Sequence, residues 1–156
     1  MTMFRWLASL LFVAALVAAP LRAAQENELK DETGKTIVKY VIEVPPGLAP
    51  AGTTDPAKQA GLILCSQEHD TPTGNDLFPV RQSLLRQGIL DRFVLIAPAP
   101  QGRKFGPDDH QPIEKLIAWA RRTYPINPRR VCKGEGSKIS MEFTIMHPDQ
   151  VTAAIW

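Results

Sequence analysis

Residues 131–140 read VCKGEGSKIS. Gly134 and Gly136 bracket Glu135, and Ser137 follows directly, so a carboxylate and a hydroxyl stand on or beside a sharp glycine turn. A serine held clear of the chain on such a turn is a candidate nucleophile, and a carboxylate there is a candidate nucleophile or base. Each also has a purely structural reading. Ser137 suits the cap of a following helix, where it satisfies free N–H groups, and Glu135 suits a surface position near that helix's positive end.

Few other side chains carry chemistry. His69, His110 and His147 stand far apart, and neither a CxxC nor an HExxH spacing occurs, so no metal site and no cofactor are expected. Cys65 and Cys132 fall in expected strands and read as small buried side chains, with a bond between them open to an exported protein. The 18 basic and 16 acidic residues give a net charge of +2 without a concentrated basic face, which argues against a nucleic-acid partner.

The elements that would position these residues follow from periodicity. Thr36 to Val44, TIVKYVIEV, is β-branched and closed by Pro45-Pro46-Gly47, a strand and a turn. GLILCS at Gly61 to Ser66 and FVLIA at Phe93 to Ala97 are continuous apolar runs, as in strands covered on both faces. A helix is expected from Asn75 or Asp76 to Gly88, with Asp76 as its cap and Leu77, Val80, Leu84 and Leu85 on one face. A second begins at Pro112 and aligns Ile113, Leu116, Ile117 and Ala120. Past a turn at Pro125 to Pro128, Val131-Cys132 reads as a very short strand, and Ile139, Phe143 and Met146 as one face of a third helix ended by His147-Pro148. Strands alternating with amphipathic helices imply an α/β fold with a mostly parallel sheet, helices covering both faces.

At the amino end Arg5 precedes an almost wholly apolar stretch, Trp6 to Ala19, followed by Pro20, Ala23 and Ala24. The stretch is short of the roughly 20 residues a spanning helix needs. It has the layout of a cleaved signal peptide over residues 1–24, which predicts a secreted or periplasmic domain at 25–156 and no stable membrane span.

From Val41 to Trp156 the chain resembles secreted α/β-hydrolase esterases, the group of polyhydroxybutyrate depolymerase-like and feruloyl esterase-like proteins and, more distantly, dienelactone hydrolases. VIEVPPGL, GLILCSQEH, LLRQGI, FVLIAPAPQG, IEKLIAWARRTYPINPRRV and FTIMHPDQVTAAI follow in the family's order. The resemblance implies a three-layer αβα sandwich over the amino-terminal part of a carboxylesterase-like domain, here a truncated α/β-hydrolase fold. It also implies a G-x-S-x-G elbow after the strand at Val131-Cys132.

The family's spacing from the HP phrase back to the nucleophile leads from Pro148 to Gly134. In that register the attacking position holds glycine, which has no atom to attack with, and Ser137 and Glu135 are the rivals. The family's triad acid and histidine follow the serine, whereas His147 and Asp149 belong to the HPD phrase at a helix end. The family's HG turn, which helps stabilise the oxyanion, is replaced by Ser66-Gln67-Glu68-His69-Asp70; His69 reads as its displaced relic or as a loop histidine.

The expectation is an exported esterase relative without activity in this form, a pseudoenzyme whose ligand would be a small-molecule ester or acyl compound. The alternatives are a non-catalytic binding protein and an unstable fragment of a longer esterase, which would self-associate through an open sheet edge.

Overall fold

The computed structural model describes residues 24–65, 71–102, 105–134 and 143–154. Nearly all of the expected leader, and His69, Glu135 and Ser137, lie outside the described residues.

The chain opens with an antiparallel hairpin, β1 (Gln25–Lys30) and β2 (Thr36–Glu43). Sequence patterning marks β2 but reads β1 as a polar lead-in. QENELK carries no apolar run because β1 pairs on one side alone, with β2, and only its Leu29 packs against the core. The hairpin loop is built by Asp31, whose Oδ1 accepts the N–H groups of Thr33 and Lys35 at 2.9 and 3.0 Å. Gly34 closes it at φ 86°, a backbone conformation that a β-carbon disfavours.

Then follow β3 (Ala60–Leu64), α1 (Phe78–Arg86), β4 (Phe93–Pro98), α2 (His110–Thr123), β5 (Ile126–Lys133), a helical turn at residues 143–146, and β6 (Ala153–Ala154). They form one six-stranded sheet in the order β1-β2-β4-β3-β5-β6. The β1–β2 and β2–β4 pairs are antiparallel and the other three parallel, so the sheet is mostly parallel.

The crossover through α1 carries the chain from β3 outward to β4; the crossover through α2 carries it back past β3 to β5. Parallel crossovers share one hand, so steps in opposite directions put their helices on opposite faces. Alternation along the strands fits this arrangement. Leu62, Leu64, Val94 and Ile96 meet Ile113, Leu116, Ile117 and Ala120 of α2 on one side. On the other, Val41, Ile63 and Leu95 meet Leu77 and Leu84 around α1. The result is a three-layer αβα sandwich, with β3 and β4 buried on both faces as their apolar runs require.

Four local readings are corrected. Asp76 is not the cap of the first helical stretch: Thr73 is, and Asp76 three residues on accepts its N–H at 2.6 Å. The second helix starts two residues before Pro112, because the Asp109 carboxylate gathers the N–H groups of Gln101 and Gly106 at 2.7 and 2.8 Å and fixes the entry. Leu85 and Met146, expected on buried faces, are 51% and 65% exposed, while Phe143 is 1% exposed.

The fourth concerns β5, which runs eight residues where two were expected. Ala60 pairs with Ile126 and Leu62 with Val131, so β5 carries extra residues against β3. Asn127 Oδ1 accepts the Arg129 N–H at 2.9 Å inside this bulge. The turn chemistry of INPRR is therefore real, but it bends a strand and does not end one.

Candidate active site at the strand carboxyl ends

In an open α/β sheet, ligands bind beyond the carboxyl ends of the strands where the strand order reverses. Here that point lies between β3 and β5, since the chain leaves β3 toward β4 and returns on its other side. The ends are knit together: Cys65 N–H donates to Ile96 O at 2.7 Å and Gly134 N–H donates to Leu64 O at 2.8 Å. β3 and β5 thus end side by side, at Cys65 and Gly134, at the same end of the sheet.

Gly134 itself is buried and still bonded into the ladder. A β-carbon built there would lie 3.0 Å from Val80 Cγ2, 3.4 Å from Ile63 Cγ2 and 3.6 Å from Leu64 O. A β-carbon there would crowd the close approach of α1 to the sheet. Replacing Gly134 with Ser is therefore expected to cost about 1–2 kcal/mol by overpacking and to create no esterase activity. Denaturant unfolding together with an ester-hydrolysis assay of the purified variant checks both.

Just below the strand ends, Leu64, Cys65, Pro98, Phe105, Ile113, Lys133 and Phe143 enclose a cavity of about 10 Å³, at the lower limit of what one water needs. Lys133 is 7% exposed, and its burial pushes the ammonium pKa down to about 8. Sequence reading passed over this residue. The signal was there, since Val131 and Lys133 are two apart on a strand and share the face that packs on α2.

Cys65 lines the same cavity, and burial pushes its thiol up to about 12. Cys132 shifts in the same direction for the same reason. Both are free thiols kept protonated, which suits packing and not nucleophilic attack.

A wider opening lies at the same end of the sheet. Between the β1–β2 loop, the residues after β4 and the start of α2 runs a groove of about 480 Å³, lined among others by Lys35, Ile37, Gln101, Gln111 and Lys115. Among the described residues no group of three His, Cys, Asp or Glu side chains could hold a metal ion, and no helix is long and apolar enough to cross a membrane.

Among solved structures, this arrangement is similar to that of a thermostable esterase, with TM-score 0.60 and 15% identity over 86% of this chain and 40% of that one. The fold is the α/β-hydrolase fold. It is likewise similar to a putative dipeptidyl aminopeptidase IV from Bacteroides ovatus, at TM-score 0.57 and 12% identity over 85% of this chain and 20% of that one. Esterase 2 from Thermogutta terrifontis, phosphoramylated by tabun, matches at TM-score 0.51 and 12% identity over 86% and 55% of the two chains. The chain thus spans well under two thirds of these α/β-hydrolase-fold proteins. No protein-family model matches the sequence, and no curated protein matches it significantly.

Proposed function

We propose that this chain is an exported protein built on the scaffold of carboxylic ester hydrolases, and that position 134 contributes no chemistry to it. The observation that carries the reading is the enclosure of Gly134 between Val80, Ile63 and the Leu64 carbonyl. A position crowded in this way, and without a side chain, offers no reactive atom. The α/β-hydrolase fold supports the ester-hydrolase scaffold, and the Trp6 to Ala19 leader supports export to the periplasm or beyond. The groove beside Lys35 and Lys115 is the place for an ester or acyl ligand. In this reading the chain is a catalytically silent scaffold whose ligand surface is this groove.

The same ladder favours one second reading. Because Gly134 N–H is still bonded to Leu64 O, a nucleophile raised above the sheet would have to come from a later residue, and Ser137 is the next hydroxyl in the sequence. The two readings separate in a hydrolysis assay with a short-chain p-nitrophenyl ester on the purified chain, Ser137→Ala and Glu135→Gln. The silent scaffold gives no turnover above buffer in any of the three. Turnover abolished by Ser137→Ala establishes Ser137 as the nucleophile and overturns silence; turnover lost only in Glu135→Gln assigns the base instead.

A further inference from the structure

At the start of α2, the HPDQV phrase after the helical turn is fastened to that helix through a chain of three ionisable groups. His147 Nδ1 lies 2.8 Å from Glu114 Oε1, and His147 Nε2 lies 3.4 Å from His110 Nδ1. His110 is 8% exposed, and its Nε2 is buried without a hydrogen-bond partner. Phe143 stacks on His147 at 4.5 Å and meets His110 edge-on at 5.4 Å. Further along α2, Arg121 Nη1 and Nη2 donate to Gln150 Oε1 and O at 3.2 and 3.4 Å.

We propose that Glu114, His147 and His110 form a proton-counted clasp that fastens residues 147–151 to α2 and opens when the two imidazoles together take up a second extra proton.

The count follows from the geometry. The contact with Glu114 needs a proton on His147 Nδ1, and only one proton fits between His147 Nε2 and His110 Nδ1. With both rings neutral, His110 Nδ1–H donates to His147 Nε2 and leaves His110 Nε2 a bare buried acceptor. One added proton goes to His110 Nε2 while the shared proton passes to His147. His147 is then a cation between the Glu114 carboxylate and the Phe143 ring, both of which favour it. A second added proton must sit on His110 Nδ1, where it faces the N–H of His147, and the two charged rings repel.

Among the described residues the groups around the clasp leave this logic intact. Arg121 is held by Gln150, Asp149 accepts from the Gln150 side chain, and Lys133 lies across Phe143 in the small cavity. Only Glu114 contacts the pair with opposite charge.

The test is amide hydrogen exchange by NMR on the whole chain, from roughly pH 8 to below pH 5, the range in which histidines ordinarily change charge. The readout is protection at Gln150 and Val151, whose N–H groups donate to His147 O, relative to Leu62 and Ile63 in β3. Protection at 150 and 151 is expected to fall at least tenfold on acidification while β3 holds. His110→Gln, which cannot accept the second proton, should abolish that fall, and Glu114→Gln, which removes the charge favouring the cation, should move it to higher pH. A native chain without the fall, or a fall unchanged in both variants, overturns the clasp. If His110→Gln does not fold, the direction of the Glu114→Gln shift decides alone.

Discussion

Replacing Lys133 with methionine is expected to make the protein more stable at neutral pH, by up to about 3 kcal/mol. The side chain is 7% exposed and its folded-state pKa is about 8 against 10.5 for the free group, and each unit of such a difference is worth about 1.4 kcal/mol. Whatever its surroundings return, burial costs more, since the net direction is downward. Methionine keeps the length and fills the same apolar space without a charge.

The sign of the pH dependence follows from the same shift. Between about pH 8 and 10.5 the unfolded chain binds more protons at this site than the folded one, so native stability contributed by Lys133 rises with pH across that window. Below it the penalty is present in full; above it the penalty is gone. Tyr40, raised to about 12 by burial, and Cys65, raised to about 12, act in the opposite sense at alkaline pH. The measurement is therefore the difference between native and variant chains in urea unfolding at pH 7 and pH 10. A gap that closes toward pH 10 bears the account out; a constant gap assigns the effect to packing.

Leu116→Ala is expected to cost about 3 kcal/mol or slightly more. Leu116 is fully buried within the cluster that α2 shares with Leu62, Val94 and Val131. Truncation loses its transfer free energy and leaves a cavity that the paired strands beneath cannot collapse to fill. Leu85→Ala is the matched control: its side chain is 51% exposed, so a change within roughly 0.5 kcal/mol is expected. Equal losses for the two would mean that the α2 layer does not form the core.

The parts legible in sequence are those where burial sets the pattern. GLIL and FVLIA are covered on both faces and read as strands because nothing else suits an apolar run of that length. Ile113, Leu116, Ile117 and Ala120 share a face because α2 lies flat on the sheet. What escaped was decided by groups other than apolar surface. β1 forms because the Asp31 turn folds it onto β2, and β5 extends through INPRR because an asparagine bends the strand locally.

Lys133 escaped because a charge breaks an apolar pattern, and a broken pattern reads as a strand end. The candidate site was legible in part. The sequence places Gly134 just past a strand, and the bond to Leu64 O and the closeness of Val80 add how deep it lies. Counting from Pro148 cannot sense that depth, because it measures distance along the chain.

The place of β3 between β4 and β5 has a consequence for how the protein is made. β4 emerges about thirty residues after β3, whereas β3's other neighbour is not complete until Lys133, nearly seventy residues after Leu64. Synthesis proceeds at roughly 5–20 residues per second, so one side of an uncharged, wholly apolar segment stays uncovered for several seconds on each new chain. That interval is when a holdase would engage it, and when neighbouring nascent chains on one message would meet edge to edge. The strand that organises the finished sheet is, during translation, its most exposed liability.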